Sequence, residues 1–153
     1  MMNRLKLVVV PLALSLCVIL PLIQATDVQY CSRRAYDVKV SSVDIKPNPV
    51  VRGQEATFKI SATTGKPITG GKVEIGVSYF GIHIHTENHD LDEETTVPIS
   101  AGDFVLSHSQ VLPGFTPPGP YTLTMKMYDE NRRILTCISF GFTIGVGTAV
   151  ADS

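Results

Sequence analysis

From Tyr36 to Ile144 the chain runs in short stretches of alternating apolar and polar residues, each cut off by glycine or proline. Successive side chains of a strand point to opposite faces, so a period of two describes half-buried strands and excludes amphipathic helices over the same stretches. YDVKV places Tyr36, Val38 and Val40 on one face, and after Ser41 and Ser42 the apolar parity shifts to Val43 and Ile45, which predicts a bulge. EATFKIS alternates about Phe58 and Ile60, and KVEIGVSYF sets Val73, Ile75, Val77 and Tyr79 against Lys72, Glu74 and Ser78. GDFVLSHSQVL, YTLTMKMYDE and RRILTCISFGFTIG supply three further strands; Tyr121, Leu123, Met125 and Met127 share a face in the second, and Ile138, Phe140, Phe142 and Ile144 in the third. KPNPVVRGQ and TTGKPITGG read as turns, and YDENRR as a tight hairpin. Outside the N-terminal segment no window of helical length carries a 3.6-residue period. Six or seven strands separated by turns predict an all-β fold, an antiparallel two-sheet sandwich.

The N-terminal segment is of another kind. Arg4 and Lys6 precede an apolar run from Leu7 to Ile23, and Ala25 offers a small residue before a cut at Thr26. This is the layout of a secretory signal peptide over residues 1–25. The competing reading is a membrane anchor, but the run falls short of the about 20 residues of a comfortable span and contains Pro11 and Pro21. One domain, residues 26–146, and a small, weakly patterned tail, 147–153, remain. Cys17 leaves with the signal peptide, so Cys31 and Cys137 can form one intramolecular disulfide in an oxidising compartment, or remain free thiols. Loss of Arg4 and Lys6 also makes the mature chain more acidic than the net charge of −1 of the whole sequence. With no cluster of lysine or arginine, nucleic acid is not an expected partner. The absence of tryptophan and the terminal placement of the cysteines argue against an ordinary immunoglobulin domain.

The stretch GIHIHTENHD gathers three of the four histidines with a glutamate and an aspartate. His83 and His85 are two apart, as ligands on one strand face would be, and a zinc site needs a third ligand as well. Glu87, His89 or Asp90 could supply it, but none has a recognisable spacing. Asp92, Glu93 and Glu94 read as a solvated acidic loop, and Ser107, His108 and Ser109 lack the G-x-S-x-G context of a nucleophile elbow. The histidines alternate with Ile82 and Ile84, which reads as a strand with its histidines outward and its isoleucines inward. On that reading no catalytic residue, metal or cofactor is expected. VLPGFTPPGPY has another character: Leu112, Phe115 and Tyr121 stand among four prolines and two glycines, as in the rim of an apolar cavity. Met125 and Met127 suit an adaptable apolar wall. Taken singly, each of these residues is better read as ordinary core packing.

YCSRRAYDVKVSSVDIKPNPVVRG, FKISATTGKPITGGKVEIGVSYFGIHIHTENHDL, GDFVLSHSQVLPGFTPPGPYTLTMKMYDE and LTCISFGFTIG together resemble the plant members of the ML family, the myeloid-differentiation-related lipid-recognition domains. That group includes the Niemann–Pick lysosomal sterol carrier and the group-two mite allergens. The resemblance implies an immunoglobulin-like two-sheet sandwich with a lipid between the sheets, no enzymatic activity, and a bridge between Cys31 and Cys137. Plant relatives commonly carry a second cysteine pair after the HIH segment; here Asp92 and Val97 stand in those places, which implies a loop over 86–100 without its clamp. The inward residues of the alternation become candidate pocket residues: Phe58, Ile60, Val73, Ile75, Val77, Ile82, Ile84, Leu112, Phe115, Tyr121, Leu123, Met125, Phe140 and Phe142. The expected ligand is a sterol or phospholipid, carried by a monomer in the secretory pathway, in the apoplast or a vacuolar lumen, toward a membrane acceptor or protein receptor. A lipid-presenting or signalling protein that acts through its acidic loop is the alternative.

Overall fold

The computed structural model describes residues 26–146; the expected signal peptide and the C-terminal tail lie outside them. Eight strands form two antiparallel sheets. The larger sheet orders β1 (Val28–Tyr30), β8 (Ile134–Ile144), β7 (Gly119–Asp129), β4 (Gly71–Tyr79) and β5 (Ile82–Asp90). The smaller orders β2 (Val38–Lys46), β3 (Glu55–Thr64) and β6 (Gly102–Val111). A single helical turn, α1 (Leu91–Glu94), follows β5. The sandwich read from the alternation is the fold, and an apolar cavity lies between its sheets.

The alternating residues pack where their parity puts them. Val38, Val43 and Ile45 of β2, with Phe58 and Ile60 of β3, face Val73, Leu123, Met125, Ile138 and Phe140 of the larger sheet. The parity shift in β2 is a bulge between Val40 and Ser42, which turns Val43 and Ile45 back toward the core. The YDENRR turn closes as expected: the Asp129 carboxylate accepts from the backbone N–H groups of Asn131 and Arg133.

Three expectations need correction. β1 was not anticipated: three residues are too few to show a period, and their pairing with Ile138–Phe140 of β8 is a tertiary effect. The stretch 86–100 is not an unclamped loop. β5 runs on to Asp90, α1 buries Leu91, and Ile99 exchanges two backbone hydrogen bonds with Ile68. Nor are the three acidic residues of α1 all solvated, because the Glu94 side chain is only 6% exposed.

Cys31 and Cys137 are bonded, 106 residues apart in sequence, and fasten the end of β1 to β8. The same flank is closed between the sheets. Tyr30 Oη accepts from the Val40 N–H at 2.9 Å, and Val50 inserts between the Thr143 carbonyl and the Gly145 N–H at 2.9 and 2.8 Å. The opposite flank, where β5 and β6 are the outer strands, is built differently. Among the described residues no backbone hydrogen bond joins β5 to β6.

Candidate functional site

Two spaces lie between the sheets. The inner one, bounded by Phe58, Ile60, Val73, Ile75, Leu123, Met125 and Phe140 with Glu94 and His108, holds about 10 Å³, room for at most one water, and is a packing gap. The outer one opens at the end of the sandwich and holds about 400 Å³, within the range of small-molecule sites. Phe58, Ile75, Val77, Tyr121, Leu123 and Phe142 form its walls; Ile84, Leu112 and Phe115 stand at its rim. A wider depression of about 650 Å³ is edged by the charged side chains Lys72, Glu74, Asp129, Glu130 and Arg132, with Tyr128 among them.

The rim loop is held rather than loose. Tyr121 Oη donates to the Pro117 carbonyl at 2.7 Å, Tyr79 Oη to the Pro118 carbonyl at 3.1 Å, and an Arg52 N–H to the Thr116 carbonyl at 3.2 Å. These bonds, with the prolines that fix φ, keep Phe115 87% exposed at the opening. Burial raises the Tyr121 hydroxyl pKa, so this tether stays a donor through neutral pH.

Of the candidate residues, Ile60, Val73, Met125 and Phe140 border only the inner gap, and two others are displaced. Ile82 does not face the cavity: it sits opposite Tyr79 beside the hairpin turn at Phe80 and Gly81, with no strand over it, and is 69% exposed. Ile84 reaches the cavity rim but remains 53% exposed. The cause is a register shift in the β4–β5 pair. Val77 faces His85 across the pair while Ser78 faces His83, so Ile84 is the extra, bulged residue. Cross-strand partners share a face, so the shift also divides the histidines. His83 lies on the outer side over Gly76, hydrogen-bonded to Thr86, whereas His85, Glu87 and His89 sit beside Val77, Ile75 and Val73 on the inner side. The expectation that the histidines decorate the outer side therefore holds for His83 and fails for His85 and His89.

The inner polar residues meet a second set from β6. Glu87 receives a Gln110 amide N–H at 3.0 Å and lies 2.9 Å from His85 Nε2, both through Oε1. Its Oε2 faces His89 Nε2 at 3.0 Å and His108 Nε2 at 3.8 Å. His108 Nδ1 lies 3.1 Å from Glu94, and His89 Nδ1 lies 3.1 Å from Glu93. Burial would raise the Glu87 pKa, but the hydrogen bonds from His89 and His85 outweigh it and hold the carboxyl below its usual range. The Glu87 hydrogen bond raises His89 against a smaller cost of burial. Burial would lower His108, and the Glu94 hydrogen bond and charge overcome it. His108, Gln110 and Glu94 were not singled out as site residues from the sequence. Leu106, His108 and Gln110 do alternate as one strand face, but nothing local shows that this face meets Glu87.

The profile of the ML domain matches residues 25–144 of this chain. A phosphatidylglycerol/phosphatidylinositol transfer protein of Debaryomyces hansenii is 33% identical over 108 residues, which cover 67% of this chain and 55% of that protein. A Dictyostelium discoideum protein, named provisionally for the same transfer, is 29% identical over 133 residues, 83% of this chain and 94% of its own length. Among solved structures, a Niemann-Pick type C2 protein from the Japanese carpenter ant superposes with a TM-score of 0.60 at 13% identity, covering 78% of this chain and 99% of that one. Chicken MD-1 complexed with lipid IVa superposes at 0.51 with 11% identity, over 77% and 98% of the two chains.

Proposed function

The chain belongs to the ML-domain family, and from that premise we propose that it binds one membrane lipid between its sheets and transfers it between membranes, with no chemistry done on the lipid. One observation carries this reading: an apolar cavity of about 400 Å³ between the sheets that opens beside an exposed, tethered phenylalanine. The driving force is burial of lipid hydrocarbon at about 25 cal/mol per Å², less the cost of ordering the lipid. Each several-hundred-Å² segment of chain is thereby worth several kcal/mol before that cost, enough to extract a lipid without a covalent step.

The name of the Debaryomyces hansenii relative favours an anionic phospholipid over a sterol. Phe80, Ile82 and Phe115 are exposed around the opening, and Tyr79 joins the hairpin tip to the rim loop through its contact with Phe80 and its bond to Pro118. These three side chains suit contact with the membrane that gives or takes the lipid. The bonded Cys31–Cys137 pair suits an oxidising compartment, in keeping with a protein of the secretory lumen or cell exterior.

The test is native mass spectrometry of the chain secreted from a eukaryotic host, followed by transfer of labelled phosphatidylinositol between vesicles. A stoichiometric phospholipid and accelerated transfer are expected. Folded protein that carries no lipid and leaves the transfer rate at its background value would overturn the reading.

A further inference from the structure

We propose that Glu87, His89 and His108 form a site for one divalent transition-metal ion of zinc's class, which joins β5 to β6 across the flank that no backbone hydrogen bond closes. The three side chains offer one ligand atom each, all within 4.8 Å of one another. Glu87 and His89 are two apart on the inner face of β5, and His108 reaches them from the opposite sheet.

The hydrogen bonds around the cluster decide which atoms are free. Glu94 can only accept, so the His108 proton sits on Nδ1, 3.1 Å away, and Nε2 carries the lone pair. That Nε2 is buried and has no hydrogen-bond partner. Glu93 likewise holds the His89 proton on Nδ1, leaving its Nε2 lone pair 3.0 Å from Glu87 Oε2. Gln110 and His85 both address Oε1 of Glu87 and so leave Oε2 for the cluster. With neutral imidazoles, three lone pairs converge with no proton between them. Extra protons on the rings, a donating water or a metal ion would each resolve that arrangement.

The geometry and the donors suit the metal. Tetrahedral zinc with bonds of about 2.0 Å sets its ligands about 3.3 Å apart. Glu87 Oε2 lies 3.0 Å from His89 Nε2 and 3.8 Å from His108 Nε2, so small side-chain rotations complete the set. Carboxylates that hold the far nitrogen of each imidazole are the usual support of such ligands. Two imidazoles and one carboxylate select zinc's class over calcium or magnesium, which prefer all-oxygen shells. Three protein ligands leave one tetrahedral position for water.

The test uses the full secreted chain after dialysis against a chelator. Zinc is added with calorimetric detection, and cobalt(II) with absorption spectroscopy, since tetrahedral cobalt reports nitrogen and oxygen ligation directly. One saturable equivalent of zinc, an intense cobalt band and a higher unfolding temperature with zinc are expected, with no response to magnesium or calcium. His89→Ala and the near-isosteric Glu87→Gln should each weaken zinc by at least the about 10–100-fold seen for supporting residues of metal sites. His83→Ala, on the outer face of the same strand, should leave binding unchanged. His108→Ala empties a buried position, so it is read only alongside Glu87→Gln, whose fold is checked by circular dichroism. Absence of saturable binding, which would mean that protons or a water satisfy the cluster, overturns the proposal. So does binding that survives both His89→Ala and Glu87→Gln, or that His83→Ala removes. None of these readouts involves lipid.

Discussion

The two flanks of the sandwich close the same gap by different means. On the β1/β2 side the Cys31–Cys137 bond holds the edge strand to β8, and Tyr30 and the Val50 insertion carry hydrogen bonds from one sheet to the other. On the β5/β6 side no backbone hydrogen bond joins the two strands, and side chains span them: Glu87 with Gln110 and His108, and His108 with Glu94 of α1. Backbone bonds and a disulfide hold a fixed spacing, whereas a side-chain seam can part without breaking a sheet. The cavity draws Ile84 and His85 from β5 and His108 and Gln110 from β6, so it lies against the flank that side chains span.

The largest effect expected belongs to the fixed flank. Cys31→Ser with Cys137→Ser opens a loop of 106 residues, and the chain-entropy account values that closure at about 4–5 kcal/mol. Denaturant unfolding measures it directly. Lipid bound per folded molecule should stay near the wild-type level, because neither cysteine borders the cavity. A loss of less than 1 kcal/mol would show that the hydrogen bonds of this flank hold β1 without the bridge.

Phe115→Asp tests the opening without touching the core. The side chain is exposed in the free protein, so unfolding should move by no more than about 0.5 kcal/mol. Transfer between vesicles should fall at least tenfold, since a phenylalanine buried against lipid contributes about 1.5–3 kcal/mol. A smaller effect divides the hairpin itself. Ile84→Ala removes three carbons from a half-exposed side chain at the cavity rim and should weaken lipid binding by about 1 kcal/mol, roughly half of what their full burial gives. Ile82→Ala should leave equilibrium binding unchanged and slow only the membrane-dependent transfer rate. Equal losses of equilibrium affinity in both would show that Ile82 folds over the lipid when it is bound.

How far the sequence carried the reading follows from which interactions are local. Strand faces are local, so nine of the fourteen candidate residues line the outer cavity while Ile60, Val73, Met125 and Phe140 reach only the inner gap, and the bulge at Ser41 and Ser42 was legible from its parity shift. β1 was not, because its position is fixed by pairing with residues more than a hundred positions away. The polar seam was hidden for the same reason. Glu87, His89 and His108 each follow a visible alternation, but only the meeting of β5 with β6 brings the two alternations together. The register shift at Ile84 has no marker of its own in GIHIHTENHD, where an uninterrupted period of two is the simpler reading.

That hidden shift gives the smallest expected effect and the sharpest contrast. His83 and His85 occupy equivalent places in the sequence and opposite faces of the strand. His83→Ala removes a ring that covers Gly76 on the solvent side and bonds only to Thr86, so stability should change by less than about 0.5 kcal/mol and lipid affinity not at all. His85→Ala removes a neighbour of Glu87 Oε1 at the cavity wall, leaving Gln110 as the remaining partner of that oxygen. A lost hydrogen bond to a carboxylate costs about 1.5–3 kcal/mol when buried, and His85 is half exposed, so the lower end of that range or less is expected. Chemical denaturation of the two variants side by side measures the difference. If His83→Ala were the costlier change, the register of β5 would be one residue out, with His83 turned inward and His85 and Glu87 carried together to the outer face.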